Sequence, residues 1–463
     1  MSLAAGRLRR IPFHWGLIVS IALGVSLLAC RVPPSDADLS TYASKKDVGG
    51  PALVEVMVDR IAYVNGTGDL FSVDPDGGNL INLTGGARVG AGPQGAVMAQ
   101  RFDFDSFYFW PTWSPDGTRL AASRIDTSGD GPTVTVEVLD PAGGTPRTIF
   151  RNEVPSLVAQ GAPHYLYWSP DSRHLTFLAS TPQAFALLLV DTEDSGAPVV
   201  LETGAPLYLH WGAGRDKLLL HAGDAVKLVE NPGHAFSSDT LADVGQGFRT
   251  PAFDPSGRLI AYSVLGDAST GGNNSSLLVR ETGSAHGVAS ILEVGLPNAF
   301  AWAPAGREIA VLDRQSRMSP AFDRLRVLMA DGSGVRILAE EAIIAFFWSP
   351  SGEQIAWVAF EQEQQVFKWK VSRADGSGQR ELFTYRPSQN SLTMLSFFDQ
   401  YAYSHSPWSP DGSRLVVSGT QVEPFARRNG NTPTGERIYI LDAASDRQAR
   451  ELAQGTIAVW SWN

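Results

Sequence analysis

The tetrad Trp-Ser-Pro-Asp, closing one short apolar run and followed by another, constrains this chain more than any single residue. It stands as Trp113-Ser114-Pro115-Asp116-Gly117, Trp168-Ser169-Pro170-Asp171 and Trp408-Ser409-Pro410-Asp411-Gly412. Weaker copies are Trp348-Ser349-Pro350-Ser351-Gly352, Trp302-Ala303-Pro304-Ala305-Gly306, Phe253-Asp254-Pro255-Ser256-Gly257 and Trp211-Gly212-Ala213-Gly214, and Trp460-Ser461-Trp462 is a truncated one. Successive motif aromatics fall about 42 to 60 residues apart, close to the length of a four-stranded propeller blade. Pro fixes φ, Asp bonds its own backbone and Gly accepts positive φ, so the motif reads as a tight turn. The Trp supplies a large apolar body for packing between sheets. These residues are structural first.

Within each unit one order returns. An apolar strand enters the motif and a second strand follows, as at 119–123 or 354–358. A third ends in an Asp/Gly turn, as at 70–78 or 327–332, and a short fourth closes the unit. Asp74-Pro75-Asp76-Gly77 lacks the full ligand series and distal Glu of a calcium loop and reads as a hairpin turn. The unit at 60–83 has no motif before it, and 456–462 is a motif strand with nothing after it. Pairing the two closes a ring and removes its free edges. The expected fold is therefore all-β: an eight-bladed β-propeller of four-stranded antiparallel blades over 52–463, with seven blades as the alternative count. The weak points are 205–245, where the motif has decayed, and 53–58, which could be a strand of its own.

The repeats resemble the propeller of TolB and the related propellers of prolyl-oligopeptidase-type peptidases, over roughly 60–463. The resemblance implies the fold, and as a class TolB-type propellers bind protein partners in the cell envelope. About thirty residues separate the leader from the first blade, too few for the second α/β domain that TolB carries.

Residues 1–29 read as a lipoprotein signal peptide. Arg7, Arg9 and Arg10 form a basic region, and 15–29 is an apolar stretch short for a membrane span. It ends in Leu27-Leu28-Ala29-Cys30, which resembles a lipobox. Cys30, the one Cys of the chain, is then a lipid attachment site, and 30–51 a flexible tether rich in Pro, Ser and Asp. This predicts an extracytoplasmic, lipid-anchored protein on a bacterial membrane. The net charge of −11 becomes more acidic on cleavage and argues against nucleic acid as a partner.

Function is sought where copies differ. The connections 85–110 and 386–407 are long, lead into the motifs at Trp113 and Trp408, and should emerge on one face near the channel mouth. Their aromatic and acidic residues make Asp105, Tyr108, Trp110, Phe398, Asp399, Tyr401, Tyr403 and His405 the candidate contacts for a ligand or partner. The alternative is that these aromatics plug the channel or form inner-strand core. Three further loops, 266–276, 313–324 and 420–436 with Arg427 and Arg428, read as solvated.

Catalytic signatures are missing: there is no Gly-x-Ser-x-Gly elbow, no His-Glu-x-x-His pair and no phosphate-binding glycine loop. No cofactor, metal or catalytic residue is assigned. The expected role is a monomeric, non-enzymatic module that binds an envelope protein or peptide. Capture of a peptide or saccharide for a membrane partner, and channel-mouth hydrolysis or lyase chemistry, are the alternatives.

Overall fold

The computed structural model describes residues 59–84, 106–128, 132–152, 164–182, 184–194, 196–214, 216–232, 236–244, 250–265, 274–283, 288–315, 322–422 and 435–462. The leader, Cys30, the tether, segment 53–58, Asp105 and Arg427–Arg428 lie outside them. Among the described residues the strands form six four-stranded sheets and one of seven strands, with antiparallel neighbours. Each four-stranded sheet starting after residue 105 uses consecutive strands, as in Ser106–Trp113, Leu120–Asp126, Thr133–Leu139 and Arg147–Arg151. The decayed stretch near 205–245 still folds this way, from Leu207–Trp211 to Ser237–Asp243. Leu207, Leu209, Leu218, Leu220 and Val229 pack with Trp211 in its core, although the Pro-Asp turn chemistry is lost. One sheet is composite: Ile457–Trp460 pairs with Ile61–Val64, which continues into Leu70–Val73 and Ile81–Asn82.

The motif turn has the predicted form. The Gly117 amide donates to the Ser114 carbonyl (2.8 Å), and the Ser114 hydroxyl donates to Asp116 Oδ1 (2.6 Å). Asp254-Pro255-Ser256 keeps that side-chain bond with the roles exchanged, Ser256 Oγ donating to Asp254 Oδ2 (2.5 Å). Gly117, Gly257, Gly306, Gly352 and Gly412 all take φ between 67° and 74°, where a Cβ is strained. Ser172 takes the same place at φ 62°.

The motif Trp also links sheets, a role the sequence did not announce. The indole N–H of Trp113 donates to the Val459 carbonyl (3.3 Å), Trp168 to Thr112 (3.2 Å), Trp302 to Ala252 (3.3 Å), Trp348 to Ala301 (3.2 Å) and Trp408 to Phe347 (3.1 Å). Each acceptor immediately precedes the motif aromatic of the preceding sheet. Arg119 and Arg414 add cation–π contacts over Trp168 and Trp460. Trp211 breaks the series. Its buried Nε1 has no partner among the described residues, and the Tyr167 carbonyl that would serve it accepts the Thr176 hydroxyl instead (2.9 Å). Trp302→Phe should therefore cost about 1 kcal/mol more than Trp211→Phe, the worth of one buried hydrogen bond. Urea denaturation of both variants checks this, and equal losses would refute the ladder's contribution.

The seven-stranded sheet holds the main departure. Strand Arg380–Pro387 does not end its sheet but pairs at Tyr385–Pro387 with Gly419–Gln421 of strand Arg414–Gln421. The apolar strand expected before Trp408 is absent, and Trp408 meets Leu415 only through an isolated bridge. Segment 389–401 is helical instead. Helix Gln389–Ser396 is capped by Ser388, whose Oγ accepts from the Ser391 amide (3.0 Å), and a short helix Phe398–Tyr401 follows.

Candidate functional site

The two helices and the turn to His405 run into the space where the leading strands of the sheets meet. Helix Gln389–Ser396 packs on Ile343–Trp348, Arg380–Pro387 and Arg414–Gln421. Helix Phe398–Tyr401 packs on Leu207–Trp211, Asn298–Trp302 and Ile343–Trp348. Two bonds from other sheets fix it: Thr112 Oγ1 donates to the Ser404 carbonyl (2.9 Å) and the Thr250 amide to Asp399 Oδ2 (3.3 Å). The insertion is thus a plug held by strands from most of the sheets.

The structure brings together most of the candidate residues, but inward rather than on a surface. Phe398, Asp399, Tyr401 and His405 are buried. Phe398 sits 4.9 Å from Phe346 between ring centroids. Tyr401 stacks on half-buried Trp110 (5.2 Å, 19°) and meets Tyr165 and His405 edge-on. Tyr403 meets His210 edge-on at 4.1 Å. Tyr108 stands apart from the plug: it is buried and donates to Glu137 Oε2 (2.6 Å). As packed, these side chains touch protein, because apolar rings on a helix that enters between sheets gain more from burial than from water.

Two strained positions aim the receiving rings. Trp110 and Tyr165 take φ 54°, each at a register shift in its leading strand, the geometry of a β-bulge that redirects a side chain. Three places before six of the motif aromatics stand residues that border this centre. Trp110, Tyr165 and Tyr208 are large, whereas Thr250, Ala299 and Ala345 are small. Phe398 shares its core with Ala299 and Ala345, so the small half leaves the room the plug fills. That spacing was available in the sequence, and it identifies Thr250, Tyr165 and Tyr208, which reading the insertions alone missed.

Burial dominates the electrostatics. It raises the Asp399 carboxyl to about 6, against smaller opposing contributions from Thr250. It lowers His210 and His405 to about 3. His210 Nδ1 accepts from the Phe253 amide (3.2 Å), which places the proton on Nε2. An imidazole kept neutral contributes stability that is present above about pH 6.5 and is lost as pH falls toward 3. Asp399 acts in the opposite sense, its contribution being lost as pH rises from about 4 to 6. Two imidazoles against one carboxyl give a net loss in acid. His405→Asn should flatten the fall of melting temperature between pH 7 and pH 4, and an unchanged slope would contradict it.

A cleft of about 410 Å³ lies elsewhere, over the Asp254 turn, with Arg258, Glu281 and Thr282 on its walls.

No family model and no curated protein matches the sequence. Among solved structures, a prolyl endopeptidase superposes with TM-score 0.50 at 11% identity, over 78% of this chain and 51% of that one. The fold is a β-propeller. This chain spans about half the length of that peptidase, so the likeness concerns the scaffold alone. Oligogalacturonate lyase from Vibrio parahaemolyticus matches at TM-score 0.45 and 13% identity, over 73% of this chain and 85% of its own. TolB from Acinetobacter baumannii matches at 0.34 and 15%, over 69% and 62%.

Proposed function

We propose that the protein is an eight-bladed, lipid-anchored, extracytoplasmic β-propeller that serves as a non-enzymatic binding or scaffolding module for an envelope protein. The observation that carries this reading is the plug: a segment placed to line an opening is spent on filling it, with Phe398, Tyr401 and His405 buried. A filled centre makes a rigid platform, and recognition then falls to its rim. The count of eight rests on eight motif-bearing segments, with the seven-stranded sheet taken as two blades joined at Tyr385–Pro387 and Gly419–Gln421. Closure rests on the pairing of Ile457–Trp460 with Ile61–Val64. In this reading Tyr108, Phe398, Asp399, Tyr401 and His405 hold the rim in shape. Half-buried Trp110 and Tyr403, with Asp105 of the same connection as Trp110, contact the partner, and Cys30 carries the lipid.

The test is crosslinking in intact membranes with the wild-type chain and with Asp105→Ala/Trp110→Ala. A specific crosslinked partner that the double variant loses, while its melting temperature holds, is the expected result. Equal capture by both chains refutes the rim assignment. Recovery of the chain in the soluble fraction refutes the anchor.

A further inference from the structure

We propose that the cleft over the Asp254 turn is a receptor for a guanidinium, the arginine side chain of a second polypeptide. A contact repeated between neighbouring units of the fold, and replaced here, leads to this reading. An arginine on the outermost strand of one unit donates to carbonyls in the turn after the third strand of the next. Arg336 Nη2 donates to the Ala374 carbonyl (3.1 Å) and to Glu308 Oε1 (2.8 Å). Arg380 donates to the Ala443 carbonyl, to the Ser445 carbonyl (2.6 Å) and to Asp446 Oδ1 (3.2 Å). Arg450 donates to the Pro75 carbonyl. The three arginines hold one place in the register. Arg336 stands opposite Val327, Arg380 opposite Val371 and Arg450 opposite Ile440, each two places before the bulged residue of its strand.

The receiving turns correspond as well. The Ala374 and Ala443 amides donate to the Glu353 and Ser413 carbonyls (2.8 Å each), and the Thr282 amide donates to the Arg258 carbonyl (2.9 Å). Thr282 is therefore the matching receiver in its own sheet. The sheet that packs ahead of it, through Leu207–Trp211 against Ala252–Phe253, has Ser237–Asp243 as its outer strand. There the same register place, opposite Leu228 and two before the bulged Leu241, is Asp239. The donor has been exchanged for an acid. At the receiving turn a cleft of about 410 Å³ is open, bordered by Asp254, Arg258, Glu281 and Thr282, a volume within the range of ligand clefts.

The walls select the occupant. A turn carbonyl accepts and cannot donate, so it calls for a donor. Glu281 is an exposed carboxylate next to Thr282 and supplies the acid that accompanies Arg336 and Arg380 in their turns. Asp254, bonded to Ser256 and to the Leu259 amide (2.6 Å), adds negative charge. Exposed Arg258 is the one basic wall residue, and Glu281, Asp254 and the exposed Asp239 outnumber it. A planar guanidinium engages a carbonyl and a carboxylate together, which the point charge of an ammonium does less well. Because Asp239 occupies the register place of the arginine in this chain, the guanidinium comes from another.

The test titrates the purified protein at low ionic strength with an acetylated, amidated alanine tripeptide carrying arginine at its centre, and with its lysine and citrulline counterparts. Saturation-transfer NMR reads the dissociation constants. The arginine peptide should bind about fivefold or more tighter than the citrulline peptide, which keeps the shape without the charge, and tighter than the lysine peptide. Asp239→Arg restores the donor within the chain and should abolish binding. Glu281→Gln should weaken it by about threefold or more. Should Asp239→Arg not fold, Glu281→Gln, at an exposed place, carries the test. Equal affinity for the arginine peptide and either counterpart overturns the proposal, as does binding that neither variant changes. The titration uses neither an envelope partner nor the lipid anchor, so its failure and the failure of partner capture at the rim are read separately.

Discussion

Gly419→Ala should destabilise the fold by more than about 3 kcal/mol, the range reached by substitutions that force backbones apart. A Cβ at this position would stand 2.2 Å from the Arg386 carbonyl oxygen and 2.9 Å from Pro387 Cα. Both are backbone atoms of the neighbouring strand and cannot swing away. The contact lies where strand Arg380–Pro387 crosses to strand Arg414–Gln421, and the next residue, Ser388, donates its amide to the Ser418 carbonyl (3.0 Å) and caps the plug helix. Separating the strands therefore also moves the helix start. Chemical denaturation followed by far-UV circular dichroism measures the loss. A cost below about 1 kcal/mol would mean that the strands part without consequence.

Tyr401→Ala should cost about 3–5 kcal/mol, in the range of large aromatic deletions from a core. It removes the ring stacked on Trp110 and edge-on to Tyr165 and His405. Trp110 and Tyr165 would then keep their strained backbone without the contact it serves. Tyr401→Phe retains the ring and should stay within about 1 kcal/mol of wild type. Near-UV circular dichroism distinguishes loosening of the plug from global unfolding, because Trp110 loses its stacked neighbour while the buried motif Trp residues keep theirs. A Tyr401→Ala protein with wild-type stability and an unchanged near-UV spectrum would show that the plug is not fastened at this ring.

The sheets were legible because their signals are local. Pro, Asp and Gly at fixed places dictate a turn, and apolar runs on either side dictate paired strands. Even at 205–245, where Trp211-Gly212-Ala213-Gly214 has lost the turn chemistry, the leucine-rich strands suffice. The helical plug was not legible in the same way. Phe397 to His405 looked like one more aromatic strand entering a motif, and a short apolar run does not by itself separate helix from strand. The deciding signals were the Pro387-Ser388 start and the apolar places Met394, Leu395, Phe398 and Tyr401, spaced by three and one as on a helix face. The buried state of the candidate residues depended on tertiary context: whether an aromatic covers a rim or fills a hole is settled by the size of its neighbours, here Ala299 and Ala345.

The composite sheet bears on how the chain can be made. Strand Ile61–Val64 is synthesised roughly 400 residues before its partner Ile457–Trp460. Until that partner arrives, one side of Ile61–Val64 is an unpaired edge carrying apolar residues, the kind of surface that invites pairing with another chain. Folding that proceeds along the chain as it is made therefore leaves a vulnerable intermediate until the second strand emerges. A factor that shields strand edges would act at this sheet first, and a chain cut before residue 457 should aggregate through it.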